Sequence, residues 1–287
     1  MTSQIQKHAG TLQYNRESIS FCFWSHADAA TPVDTVIFLG SAQVGKIPKW
    51  AAQAAPAVVV MVDGLPHWKA HPNDSDLAEF AHAYTVAAFK IVLNHFKIPS
   101  AHIVGVSQAA PGVIWAARNL AKQVQNVALV APLGLTANIL GTSPEARLRK
   151  LKWRTLRTYL QFSHTPFNDL RIFYVQLMLL RSLLLETRWS AAGKKYASGL
   201  SQDILEDCRV AAIERHRRGN SFTVFLAEKD KIFPPHEILA SLKQAKIDHI
   251  DTVIMRGISH PPLETRSDQK AVWQIVTNLR EQATAAI

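Results

Sequence analysis

The chain has 287 residues, 48% of them hydrophobic and 19% charged, enough for a sizeable core in one large α/β domain or two smaller units. Its formal net charge is +10, and its two cysteines, Cys22 and Cys208, lie far apart and fit no metal-ligand spacing. The first residues carry no apolar signal core, and the longest apolar stretch, Leu177 to Leu185, is broken by Arg181 and too short to span a bilayer. The expectation is a reduced, cytoplasmic protein with neither leader nor membrane span.

In chain order, residues 11 to 26 place Tyr14, Ile19, Phe21, Phe23 and Ser25 in near alternation and read as an antiparallel strand pair. Thr35 to Leu39 is a continuous apolar run stopped by Gly40-Ser41-Ala42, as in strands of a parallel sheet covered by helices on both faces. A short helix is predicted around Pro48 to Ala54. The next buried strand, from Ala57 to Val62, ends at Asp63-Gly64-Leu65-Pro66. After a loop holding His67, Trp68 and His71, Asp74 or Ser75 caps a helix with Leu77, Phe80, Ala81, Tyr84, Ala87, Ala88 and Ile91 at helical spacing.

A strand over His102 to Val106 follows, then Gly105-Val106-Ser107-Gln108-Ala109 and a helix from about Ala110 to Gln123 with Pro111 in its first turn. Val127 to Ala131 is another buried strand. Strand and helix alternate up to this point, which is the pattern of a doubly wound, mostly parallel α/β sheet.

From Gly134 the alternation stops. Residues 145 to 218 read as helical, and from Ser143 to Arg218 there are fifteen Lys or Arg against seven Asp or Glu, which is +8 of the total charge. Arg147, Lys150, Arg154 and Arg157 share a helix face by their spacing, and Leu170 to Trp189 is apolar around most of its circumference. The α/β pattern returns with a strand over Phe222 to Ala227, a helix from His236 to Gln244, a strand from His249 to Met255 and a last helix from Asp268 to Glu281. The expected division is a core in two parts, residues 1–133 and 220–287, around an inserted basic helical cap at 134–219.

A serine hydroxyl near neutral pH needs a base to take its proton and a third group to orient that base. In an open α/β sheet such groups gather at the carboxyl ends of strands. Ser107, Asp230 and His260 each stand just after a predicted strand, and they occur in the chain order Ser, Asp, His. Glu228 ranks second as the acid, being closer to the strand body. His67 and His71 precede the serine and read as substrate-side residues.

With these residues the chain resembles the α/β-hydrolase superfamily over about residues 11 to 133 and 220 to 287, with the basic segment where that family inserts a lid or cap. The resemblance rests on Gly105-Val106-Ser107-Gln108-Ala109, on Asp230 within Ala227 to Pro235, on His260 after Gly257-Ile258-Ser259, and on the turn Asp63 to Pro66. It implies a Ser107–His260–Asp230 triad and an oxyanion hole built from the backbone N–H groups of Gln108 and Ser41. Gly40, His67 and Trp68 are implied at the substrate. Two departures stand out: Ala109 replaces the second glycine of the serine motif, and Leu39 stands where the family has a histidine before its oxyanion glycine.

The expected activity is that of a serine hydrolase acting on an ester-like or related acyl bond of a small, partly hydrophobic substrate with room for an anionic group. No metal or organic cofactor is implied. Two other readings stay open. One is a non-catalytic protein of the same fold whose basic cap binds an anionic partner or membrane surface, without the aromatic platforms of sequence-specific nucleic-acid binding. The other is a nucleotide hydrolase, since Gly40 to Lys46 matches most of a phosphate-binding loop. Against it, Ile47 stands where a Ser or Thr must reach the metal, and Pro48 biases Ile47 away from the helical conformation.

Overall fold

The computed structural model describes residues 5–14, 17–26, 35–39, 51, 57–61, 77–136, 144–162, 204–259 and 269–284. Eight strands form one sheet: β1 (Ile5–Tyr14), β2 (Glu17–His26), β3 (Thr35–Leu39), β4 (Ala57–Met61), β5 (Ala101–Val106), β6 (Val124–Val130), β7 (Phe222–Ala227) and β8 (Asp251–Met255). The described helices are α1 (Leu77–His95), α2 (Ala110–Asn119), α3 (Pro144–Phe162), α4 (Ile204–Arg217), α5 (Pro235–Gln244) and α6 (Gln269–Thr284).

The strand order is β1-β2-β4-β3-β5-β6-β7-β8. From β4 to β8 all neighbours are parallel, while β2 runs antiparallel to β4 and pairs with β1 as an antiparallel ribbon. The chain steps from β3 to β4 on one side of β3, then returns to place β5 on the other. That reversal is a topological switch point, where a crevice opens at the carboxyl ends of adjacent strands. Leu39 lies opposite Gly105 in the β3–β5 register, so both chains leave the sheet there side by side.

The continuous apolar runs serve two faces at once. Ile37, Leu39, Ile103, Leu129, Val224 and Leu226 belong to one core cluster with residues of α1, α2, α4 and α5. Val36, Phe38, Val104, Ala128, Val130 and Phe225 belong to a second with Val272, Ile275, Val276 and Leu279 of α6. Successive strand residues point to opposite faces, so a strand covered on both sides is apolar at most positions, with Thr35, His102 and Thr223 among the exceptions. Val113 and Ile114 of α2 are fully buried, each removal from water stabilising by about 1.5–3 kcal/mol.

Several element boundaries differ from the sequence expectation. The antiparallel pair begins at Ile5, because all ten residues of β1 find partners in β2. Strand β6 begins at Val124 although Asn126 interrupts the apolar run. The side chain of Asn126 is satisfied inside: Nδ2 donates to the Leu279 carbonyl at 2.6 Å and Oδ1 accepts from the Ser221 N–H at 2.8 Å.

Helix α4 lies in the stretch grouped by composition with the basic cap, yet Ile204, Cys208, Ala211 and Ala212 pack into the main core, against α2. Burial pushes the Cys208 thiol well above its ordinary range. Arg215 is buried and donates to the carbonyls of Val124 and, at 2.9 Å, Ala121. Its burial lowers the guanidinium to about 10, which leaves it charged at neutral pH. The Arg118–Asp207 ion pair joins α2 to the start of α4. The apolar stretch Leu170 to Trp189 and the loop from Pro66 to Asp74 lie outside the described residues, as does the helix predicted at Pro48 to Ala54 except for Ala51, which is helical and buried.

Candidate active site

The serine turn occupies the switch point. Val106 closes β5 in an extended conformation (φ −105°, ψ 126°), and Ser107 takes φ +53°, a left-handed backbone that L-residues with a Cβ adopt at a cost of order 1–3 kcal/mol. A single 3₁₀ turn, Ser107–Ala109, then leads into α2, with Ala110 already helical at φ −55° and ψ −44°. The Ser107 carbonyl accepts from the Ala110 N–H and, at 3.0 Å, from the Leu133 N–H beyond β6, so the turn is fixed from both sides.

The small residues around the turn are there for lack of space. A Cβ on Gly105 would sit 2.9 Å from Val113 Cγ2 and 3.1 Å from the Ala110 Cα, where α2 crosses the end of β5. One on Gly112 would meet Leu39 Cδ2 at 2.6 Å and Thr85 Cγ2 at 2.8 Å. Ala109 is fully buried, so the position requires smallness and alanine meets it. The Gln108 N–H lies in the first turn of this segment, where backbone N–H groups lack intrahelical acceptors. A helix start of this kind is suited to stabilising a developing negative charge.

Farther along the same edge of the sheet, the exits of β7 and β8 are stitched together. The Glu228 N–H donates to the Met255 carbonyl at 3.1 Å, and the Lys229 N–H donates to the Ile258 carbonyl at 2.8 Å. Gly257 turns the chain at φ +75°, and its N–H donates to Glu228 Oε2 at 2.7 Å. Glu228, ranked second as the acid, is thus an exposed brace for the β8 turn.

Asp230 is buried. Its Oδ1 accepts from the N–H groups of Ile232 and Phe233, both at 2.8 Å, and its own N–H donates to the Ala227 carbonyl at 3.0 Å. Its loop runs beside the β8 exit as far as Ile258, two residues short of position 260. Of the residues expected at the site, Ser107, Asp230 and the backbone of Gln108 are described. His260, Ser41, Gly40, His67 and Trp68 lie outside the described residues.

A contact that no sequence pattern indicated links α3 to this region. Arg154 of α3 grips Glu237 of α5 in two hydrogen bonds of 2.7 and 2.6 Å and donates to the Ile232 carbonyl at 3.3 Å. The spacing placed Arg154 on a basic face but gave no sign of its partner. Arg154 holds the Glu237 carboxyl below its ordinary value. Among the described residues no group of three or more His, Cys, Asp or Glu side chains could hold a metal ion, and no described helix is long and apolar enough to cross a membrane.

Comparison with known proteins agrees with this geometry. A search of the curated proteins finds no match. Among solved structures, 2-hydroxy-6-oxo-6-phenylhexa-2,4-dienoate hydrolase from Rhodococcus sp. strain RHA1 is similar, with a TM-score of 0.64 and 16% identity over 96% of this chain and 99% of that one. A serine hydrolase from the polyaromatic-hydrocarbon-degrading bacterium Cycloclasticus zankles gives 0.59 and 13% over 97% and 99%. Fungal esterases from Rhizomucor miehei give 0.57 and 14% over 99% and 86%. At such identities the likeness is one of fold. The profile of the alpha/beta hydrolase fold matches residues 64–267, most of the chain and both the Ser107 and Asp230 turns. The chain belongs to the alpha/beta hydrolase fold family.

Proposed function

We propose that the protein is a serine hydrolase that cleaves an ester-like acyl bond through Ser107, His260 and Asp230. The observation that carries this reading is the backbone of Ser107. A non-glycine residue held at φ +53° between a buried strand and a buried helix, at the switch point of the sheet, is the sharp strand-to-helix turn that presents a nucleophilic hydroxyl.

In this mechanism Ser107 Oγ attacks the substrate carbonyl while a ring nitrogen of His260 takes the hydroxyl proton. The N–H groups of Gln108 and Ser41 stabilise the oxyanion of the tetrahedral intermediate. The intermediate collapses with loss of the leaving group, which receives the proton from His260 and leaves an acyl-Ser107 ester. A water molecule, deprotonated by His260, attacks that ester. Collapse of the second intermediate releases the carboxylic acid and returns the proton to Ser107. Asp230 orients the imidazole and stabilises its charged form. The two backbone N–H bonds to its Oδ1 fix the direction of the carboxylate.

A small substrate that is partly hydrophobic and carries an anionic group fits the basic middle segment. The Rhodococcus neighbour's named substrate likewise joins a phenyl ring to a carboxylate. The test is labelling with a fluorophosphonate probe. The wild type is expected to label, and folded Ser107→Ala and His260→Ala to stay unlabelled. A folded wild type that takes no label would remove Ser107 as nucleophile. A short-to-long acyl ester series would then bound the pocket.

A further inference from the structure

Helix α3 has one side anchored and one side presented to solvent. Leu156 and Thr158 are buried, Leu151 packs on the main core, and Arg154 is clamped to Glu237. Those contacts set the rotation of the helix. They turn outward a stripe at i, i+4 and i+8, made of Arg149, Trp153 and Arg157, with Lys150 beside it. All four are exposed, and Trp153 keeps 60% of its surface in water. The stripe extends about 12 Å along the helix. The one acidic residue in Pro144–Phe162 is Glu145, in the first turn, and Glu237 faces the helix from α5, on the anchored side, where Arg154 engages it.

A single exposed apolar side chain is ordinary on a protein surface. Trp273 of α6, 45% exposed, is such a case: Gln269, Lys270 and Thr277 are its neighbours on the helix surface, and one of the three is charged. Around Trp153 the corresponding positions hold Arg149, Lys150 and Arg157, besides the buried Leu156. Cationic side chains flanking an exposed indole on a rigidly held helix match the chemistry of a membrane interface. There, guanidinium and ammonium groups meet anionic headgroups and an indole seats at the headgroup level.

We propose that this outward face of α3 docks on an anionic lipid surface. The arginines supply attraction that fades within a Debye length, and Trp153 inserts at the headgroup boundary. The docked helix would bring the acid loop near the bilayer, because Arg154 joins α3 to the Ile232 carbonyl and to α5. The docking surface stands independently of the hydrolase mechanism, since none of its residues belongs to the triad.

The test is co-sedimentation of the full chain with mixed phosphatidylcholine–phosphatidylglycerol vesicles, with pure phosphatidylcholine vesicles as control and a single-stranded RNA oligonucleotide in a parallel binding assay. The wild type should sediment with the mixed vesicles at low salt, stay in solution with the neutral ones, and be released as salt rises. Arg149→Glu/Arg157→Glu should weaken partitioning about 100-fold, and Trp153→Ala about tenfold. Both variants should keep the wild-type melting temperature, and Arg149→Gln/Arg157→Gln gives a milder check that the loss follows charge. The proposal is overturned if the wild type ignores the anionic vesicles, if it binds neutral ones equally, if the variants bind undiminished, or if it binds the RNA but not the vesicles.

Discussion

The turn at Ser107 and the loop at Asp230 sit at the same end of one parallel sheet, and they hold these two side chains by opposite means. Around Ser107 the backbone is strained, at Ser107 itself and at Ala131 at the end of the neighbouring strand, and kept so by packing: Gly105 and Gly112 let α2 close onto the sheet, and the Leu133 N–H ties the Ser107 carbonyl. Around Asp230 the described bonds include no such strain. The carboxylate collects two backbone N–H groups, and neighbouring N–H groups are spent on Ala227, Met255 and Ile258. A nucleophile must stand clear of the strand to be attacked along a defined path, which a sharp left-handed turn provides. In the proposed mechanism the group that orients the base has only to keep its direction, which hydrogen bonds provide.

Four experiments sharpen or break that contrast. The largest effects are on turnover of an activated ester: Ser107→Ala should lose about 10⁶-fold in kcat and Asp230→Asn about 10⁴-fold. Asparagine keeps an oxygen for the Ile232 and Phe233 N–H groups, so Asp230→Asn should melt near the wild-type temperature while Asp230→Ala should not. Equal melting of the two variants would mean those bonds do not hold the loop. Next, Gly105→Ala pushes a methyl group against Val113 and the Ala110 backbone, and urea denaturation should show a loss of about 1–3 kcal/mol together with reduced turnover.

Third, Ser107→Gly should be more stable than Ser107→Ala by about 1 kcal/mol, because glycine relieves the φ of +53° and alanine does not. Both variants lack the hydroxyl, so the difference reads the backbone alone, and a more stable alanine variant would rule the strain out.

The smallest effect concerns the Arg154–Glu237 clamp. Its carboxyl is held below the ordinary value of 4.5 by the Arg154 hydrogen bonds, so protonating Glu237 costs more in the folded protein than in the unfolded chain. The clamp's contribution is therefore complete above about pH 4.5 and lost as pH falls through the folded value. Chemical denaturation from pH 6 down to about pH 3 should cost the wild type about 1 kcal/mol more than it costs Glu237→Gln. Parallel curves would show that the pair adds nothing.

Two helices of the basic middle segment show how far composition can be trusted. In α3 the cations Arg149 and Arg157 face water, while Arg154 turns inward to a carboxylate. In α4 small residues, Cys208, Ala211 and Ala212, let the helix lie close on α2, and Arg215 is carried in with them because three backbone carbonyls accept from it. Counting charge groups the two helices together. Reading α4's small residues at helical spacing would have separated them, and that signal was present. The role of Glu228 was less accessible, since the carboxylate that accepts from the Gly257 N–H is twenty-nine residues away in sequence.

The sequence by itself determined where the sheet's buried strands lie, because strands buried on both faces are dominated by apolar residues and those runs were legible at β3, β5 and β7. It also placed Ser107 and Asp230 after their strands, and it identified small residues beside the serine. The left-handed turn at Ser107, the brace from Glu228 to Gly257, the Arg154–Glu237 clamp and the outward stripe of α3 were decided by tertiary structure alone. Spacing along a chain says which residues share a face; which neighbour that face meets depends on packing between segments distant in sequence. Strain at one residue survives only when that packing holds it in place.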